Sequence, residues 1–262
     1  ELLILACRHD GKLVGIAPLF IANEAQGKVV RIIGCVDVTD YLDVIVDKDH
    51  LKAVYSAFAE YFTNNRNKFD LLDFCNIPQG SVTNEIFAEI LKQHGFETDT
   101  QQQEVCPVIE LPNEWGGYLG LLDKKQRHEV RRKLRRIHGT SEDVDWYIVN
   151  GKQNLDSEIA CFMQLMAASD PEKEEFLQDE QHVKFFKNIV PLIHECGWLQ
   201  MNFLTVGDER VASYINFVYD NRVLVYNSGL NHQTYGQLSP GIVLLAYNIQ
   251  HAIENGYKAY DF

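Results

Sequence analysis

Residues 223–262 read VLVYNSGLNHQTYGQLSPGIVLLAYNIQHAIENGYKAYDF, and they parse as strand, loop, helix and strand. Val223 to Leu230 is dense in β-branched and aromatic residues, and Gly229 and Gly236 bracket a polar loop. Ser239 stands where an N-cap belongs, Pro240 at the first helical position and Gly256 just past the end. Ile242, Leu245, Ile249, Ala252 and Ile253 keep helical spacing, which gives one apolar face for a sheet to bury. At the entrance of this helix, free N–H groups around Gly241, Ile242 and Val243 are expected to point outward, backed by the positive end of the dipole. Gly241 lets a ligand approach the backbone, and no Asp or Glu occurs from Leu224 to Ile253, so a pyrophosphate meets no like charge there. A plain capped helix is the alternative, since Ser-Pro-Gly begins many helices that bind nothing.

A chain of 262 residues has room for two ordinary domains or one large one. No apolar run approaches the ~20 residues of a membrane span. The formal charge of -13 argues against a general nucleic-acid binder or a protein that coats anionic membrane, although a local basic patch can survive inside an acidic whole. Six cysteines, at 7, 35, 75, 106, 161 and 196, are scattered singly, which suggests neither a zinc site nor a disulfide framework but small buried hydrophobes in a reducing, cytoplasmic setting. Cys75, directly after a predicted strand, is the one cysteine placed to be a nucleophile. No HExxH or close histidine pair occurs, so no metal is expected. The chain opens without Met in mid-strand pattern and is expected to be a fragment of a longer protein.

Along the chain, Leu2 to Ala6 and Leu13 to Ile21 flank an Asp10-Gly11 turn and predict a hairpin. Strands are expected at Val29 to Gly34 and Leu42 to Val46, separated by the polar run 37–41. Helical spacing follows from Leu51 to Phe62, then a short strand at Leu71 to Phe74. A second helix is capped by Thr83 or Asn84 and closed by Gly95. Strands at Phe96 to Thr100 and Val105 to Leu111 complete the first half, and residues 112–117 read as a linker. After a strand at Asp145 to Val149 come two helical patterns, the later one interrupted by Pro191. A second hairpin, Trp198 to Val206 and Val211 to Tyr219, leads into the opening stretch.

Tyr118 to His138 reads as one long helix with Leu119, Leu122, Val130, Leu134 and Ile137 on its apolar stripe. From Asp123 to His138 it carries eight basic residues against two acidic ones, a net of +6 that leaves -19 for the rest of the chain. Arg127, Arg131 and Arg135, spaced four apart, form one stripe that suits an anion. A surface helix paired to an acidic neighbour is the competing interpretation.

The halves share an order of hairpin, strand, helix and a strand ending in Asp-Phe, at Asp73-Phe74 and again at Asp261-Phe262. That repeat implies two mixed α/β units, 1–114 and 115–262, rather than one sheet. The second half resembles the CelD-like, FemAB-related acetyltransferases of the GNAT fold. The matching residues are Asp123 to Arg127 with Arg131-Arg132-Lys133, Val211-Ala212-Ser213, Tyr226 to Leu230, Leu238 to Gly241 with Leu244-Leu245, and Gly256 with Asp261-Phe262. The first half, including Asp40-Tyr41-Leu42-Asp43, resembles the degenerate N-terminal unit of that family, and against the family pattern the second unit is expected to be truncated after its Asp-Phe strand.

The resemblance implies acyl transfer from acetyl-CoA or another acyl-CoA, without a metal, to an amine or hydroxyl of a small cytoplasmic sugar, amino-sugar or peptide-like precursor. It implies that the strand before the entrance helix splays from its neighbour along Tyr226 to Leu230 and pairs with the pantetheine arm. Gln237, Ser239, Gly241, Ile242 and Val243 are then the cofactor-binding residues. Asp261, Tyr226 and His232 are candidates for moving protons during thioester transfer, with a cap, a core tyrosine and a surface loop residue as their bland counterparts. Arg127, Arg131, Arg135, Asp40, Tyr41 and Asp43 are expected to wall a substrate groove. Two alternatives stay open: an aminoacyl-tRNA-dependent transferase using the basic helix as its RNA contact, and a non-catalytic scaffold retaining the fold.

Overall fold

The computed structural model describes residues 1–35, 38–233 and 235–262, so Asp37 of the expected polar run lies outside the described residues. It divides into two compact units, Glu1–Val105 and Cys106–Phe262, each a mixed α/β structure built around its own sheet.

In the first unit β1 (Leu2–His9) and β2 (Lys12–Glu24) form the expected hairpin. Asp10 (φ 49°) and Gly11 (φ 77°) take the left-handed conformations that a two-residue turn requires. β3 (Gly27–Ile32) follows on β2, and only Ile45–Val46 of the next expected strand forms, as β4, also on β2. Helix α1 (Leu51–Asn64) buries Val54, Tyr55, Phe58, Ala59 and Phe62, then β5 (Leu71–Asp73) returns parallel to β3. Thr83 does not cap the next helix. It opens a π-helical segment, Thr83–Phe87, and its hydroxyl bonds the Asp43 carboxylate, before α2 (Ala88–Gln93). Cys35 and Cys75 are joined as a disulfide with Cα atoms 6.2 Å apart, which corrects the expectation of unpaired cysteines and leaves Cys75 no thiolate for nucleophilic work. The pairing was hidden because it depends on the parallel β3–β5 contact, across 40 residues of sequence.

In the second unit the sheet runs β6-β11-β10-β9-β8-β7. β6 (Val108–Glu110), expected to end the first half, instead pairs antiparallel with β11 (Ala259–Asp261). No strand forms at 96–100. Residues read as a linker begin helix α3 (Trp115–Leu121), and the expected long helix is broken in two. Asp123 accepts the Gln126 N–H at 2.7 Å while the Gln126 side chain takes the Asp123 N–H, a capping box that restarts the chain as α4 (Lys124–His138). β7 (Val144–Ile148) leads to α5 (Leu155–Ser169), α6 (Pro171–Phe176) and α7 (Glu180–Glu195), which runs on through Pro191 rather than breaking. The hairpin β8 (Leu199–Val206) and β9 (Glu209–Tyr219) turns at Asp220-Asn221 into β10 (Arg222–Leu230), and α8 (Pro240–Glu254) crosses back to β11.

A parallel pair needs such a crossover, and its helix covers one face of the sheet. Leu204, Val206, Ala212, Val243 and Leu244 close that face, while Ile159, Phe162, Met201, Phe203 and Ile215 close the other beneath α5 and α7. The α8 side also buries a polar group of Gln200, Asn202, Asn216 and Asn248, tied by Asn216 Nδ2 to Gln200 Oε1 at 3.0 Å and Trp146 Nε1 to Asn248 Oδ1 at 3.2 Å. α5 lies so close to β10 that a Cβ on Gly229 would stand 2.6 Å from the Leu165 carbonyl carbon. Gly229→Ala is expected to cost roughly 1–3 kcal/mol by overpacking, seen as a lower denaturation midpoint. Gly120→Ala, with open space around its Cβ, serves as the control and should lose nothing.

Candidate functional site

β10 carries the site. Its first three residues pair in parallel, Arg222 with Ala259, Val223 with Tyr260 and Leu224 with Asp261. On its other side the ladder with β9 slips between Val225 and Asn227, leaving Tyr226 as the extra residue of a β-bulge. The bulge sends the Tyr226 ring between Phe217 and Phe186, with centroids 4.8 and 6.0 Å away, so most of this side chain is packing. Beyond it, Asn227 and Gly229 face α5 and α6, and Leu230 returns to the α8 side.

At Ser228 the strand edge is covered by side chains. Asn227 Oδ1 accepts the Ser228 N–H at 2.8 Å, and Lys173 of α6 donates to the Ser228 carbonyl at 2.8 Å and to Asn227 Oδ1 at 2.9 Å. Sequence reading passed over Lys173, because it sits in the acidic run Glu172 to Glu175 and no spacing connects it with β10.

Beyond β10 the loop turns tightly. Tyr235 (φ 57°) precedes a 3-10 turn, Gly236–Leu238, and Ser239 (φ 55°, ψ 53°) is the left-handed N-cap of α8. Two such non-glycine residues in one loop are uncommon and mark a backbone held by its surroundings. The Ser239 hydroxyl makes no capping bond. Its carbonyl accepts the N–H groups of Ile242 at 3.1 Å and Val243 at 3.2 Å. The expectation of three outward N–H groups is therefore corrected. Among the described residues, only Gly241 of the three keeps an N–H without an acceptor. Val243 is fully buried, while Gly241 would meet only the tip of Leu230, at 3.2 Å, if it carried a Cβ.

The basic helix α4 flanks this entrance. Arg136 donates to the Gln237 carbonyl at 2.8 Å, and His138 Nε2 lies 3.4 Å from the Tyr247 hydroxyl of α8. Leu134 packs with Leu238, Val243 and Leu244, and Leu122 and Val130 with Ile249 and Ile253, so the apolar stripe meets α8 and the sheet as expected. Arg131 and Arg135 are exposed and Arg127 half-buried. Of the other expected site residues, Asp261 is buried at the end of β11 with Arg222 Nη2 3.9 Å from its carboxylate. His232 is exposed in the loop after β10. In the first unit Asp40 and Tyr41 are exposed, whereas the Asp43 carboxylate is bonded to Ser81, Thr83 and the Val44 N–H. Among the described residues no cluster suited to a metal ion forms.

Glu129 is the one acid within the basic helix. Its hydrogen bonds to Arg132, at 2.6 and 2.8 Å, together with Lys133, hold its carboxyl down to about 2 from the ordinary 4.5. A depressed value means the pair contributes stability above pH 4.5 and loses it as pH falls towards 2. Carboxyl-carbon NMR should find the Glu129 midpoint near 2, and in Arg132→Ala close to the ordinary value.

Residues 124–262 match the family model described as an acetyltransferase (GNAT) domain. No curated protein matches this sequence. Among solved structures, FemX is similar over all of this chain and 79% of its own, at 13% identity and TM-score 0.61. The C-terminal domain (DUF2156) of a putative lysylphosphatidylglycerol synthetase from Agrobacterium fabrum is similar over all of this chain and 69% of its own, at 12% identity and TM-score 0.54. L-PGS from Bacillus licheniformis matches 95% of this chain and 65% of its own, at 11% identity and TM-score 0.52. At these identities the likeness is one of fold.

Proposed function

From the premise that the chain belongs to the acetyltransferase (GNAT) domain family, and is thereby an acyltransferase, we propose that its donor is an acyl-CoA held by the second unit. The acceptor we propose is an amine or hydroxyl of a small sugar, amino-sugar or peptide-like molecule. The observation that carries this reading is the entrance of α8. A glycine N–H without an acceptor among the described residues, the positive end of a 15-residue helix and the anchored Arg136 meet beside a stretch with no acid from Leu224 to Ile253. The pyrophosphate fits there through Gly241 and its neighbours Gln237, Ser239 and Ile242, with Val243 contributing packing. The extended pantetheine then lies along the outer edge of β10 around Ser228. Of the groups assigned to proton movement, Asp261 stands where β11 leaves β10, Tyr226 lies at the bulge and His232 at the strand's end. Arg127, Arg131 and Arg135 of the same unit remain the proposed acceptor-side residues.

The second reading, an aminoacyl ester delivered on tRNA, is favoured by one observation. Lys124, Lys125, Arg131, Arg135 and Arg136 are all exposed on the helix that flanks the same entrance. Calorimetry with acetyl-CoA and salt-dependent binding of tRNA separate the two.

Among the described residues the first unit offers no equivalent entrance. Asp47 accepts the Asp49 N–H at 2.9 Å and pairs with His50, the N-cap of α1, at 3.4 Å, placing carboxylates beside the helix start though not in its first turn. Gly241→Asp is therefore expected to abolish acetyl-CoA binding, while Asp49→Asn leaves it nearly unchanged. Undiminished affinity in Gly241→Asp, with the fold intact by circular dichroism, removes the cofactor from α8.

A further inference from the structure

We propose that Lys173 binds the negative charge that develops on the acyl carbonyl oxygen of the donor, at the outer edge of β10; this rests on the acyl-CoA reading above. The ammonium is half-buried, and its two partners, Asn227 Oδ1 and the Ser228 carbonyl, are neutral oxygens. Among the described residues no carboxylate forms an ion pair with it. Asp170, the N-cap of α6, accepts the Glu172 N–H at 2.8 Å. Taking a cation out of water without a counter-ion is unfavourable, so its position marks where an anion stands during the reaction. Burial pushes the amine below its ordinary range, opposed by the charge of Asp170, as an uncompensated cation should behave.

The backbone of Ser228 explains why that anion is the acyl oxygen. Asn231 donates to the Val211 carbonyl at 3.0 Å, so alternate residues Gly229 and Asn227 exchange ladder bonds with β9, and Ser228 turns both its backbone groups to the outer edge. Those groups are now satisfied by Asn227 and Lys173. An extended acyl chain on this edge takes their place, and the displaced ammonium, with a third donor still unused, lies beside the carbonyl. When the acceptor nitrogen or oxygen bonds to the carbonyl carbon, the π pair moves onto oxygen, to which Lys173 donates a hydrogen bond. The pair then returns, the carbon–sulfur bond breaks, and the thiolate takes up the proton given up by the acceptor. Lys173 keeps its own proton throughout.

Two isosteric thioethers test this without knowledge of the acceptor: carboxymethyl-CoA, whose carboxylate lies one carbon beyond the thioester carbonyl and so within reach of an ammonium that serves that carbonyl, and neutral carbamoylmethyl-CoA. The unsubstituted protein is expected to prefer the anionic ligand by roughly 10- to 100-fold, the range for a hydrogen bond to a charged group. Lys173→Met should lose that preference while still binding carbamoylmethyl-CoA, and Lys173→Arg should retain part of it. Binding of both ligands with no preference, or the same preference in Lys173→Met, overturns the assignment of Lys173 alone. Binding of neither by the unsubstituted protein overturns the acyl-CoA reading, and this inference with it.

Discussion

A strand that is paired on one side along its length and on the other for only three residues must satisfy the remaining edge groups some other way. β10 is such a strand, and the second unit is arranged around the consequence. The crossover through α8 brings β11 parallel to Arg222–Leu224, and the bulge at Tyr226 then redirects the strand. Gly229 lets α5 close over one face, and Leu230 hands the chain to the loop that starts α8. Polar backbone is thus presented at Ser228 and at Gly241, at either end of one short connection. The present partners at Ser228 are side chains, which a ligand can replace at modest net cost because hydrogen bonds are exchanged and not lost.

The first unit repeats this strand order with different connections. Its order β1-β2-β3-β5 matches β8-β9-β10-β11, with a helix between the last two strands of each set and a three-residue parallel ladder closing each. The differences lie in the connections. Asp43 is committed to Ser81 and Thr83, and the disulfide between Cys35 and Cys75 fastens the ends of β3 and β5. Carboxylates beside its helix start, though not in the first turn, and a stapled loop set the first unit apart from the second.

Much of this was legible in the sequence, because the strongest signals are local. The Asp-Gly turn, the α1 stripe, the β8–β9 hairpin and the run from Val223 to Phe262 each specify themselves through period and turn chemistry. The capping box of α4 was equally visible, as Asp123-Lys124-Lys125-Gln126, but the apolar spacing of Leu119 and Leu122 before it drew the helix out too far. What was hidden depends on contacts between distant segments. β6 has too few residues to declare its partner, Cys35 and Cys75 meet only through sheet pairing, and Lys173 finds β10 across 54 residues. Ser239 was read correctly as the N-cap position, yet its left-handed conformation has no sequence signature in a serine, and its carbonyl takes the N–H groups of Ile242 and Val243.

The central claim is that one ligand spans the β10 edge and the α8 entrance, and its most direct measurement is a crystal structure of the protein with carbamoylmethyl-CoA. The account predicts pantetheine amides paired with the backbone of Ser228, Lys173 turned to the carbonyl oxygen, and a pyrophosphate oxygen within hydrogen-bonding distance of the Gly241 N–H. A ligand seated elsewhere, with Asn227 and Lys173 still bonded to Ser228, would contradict it.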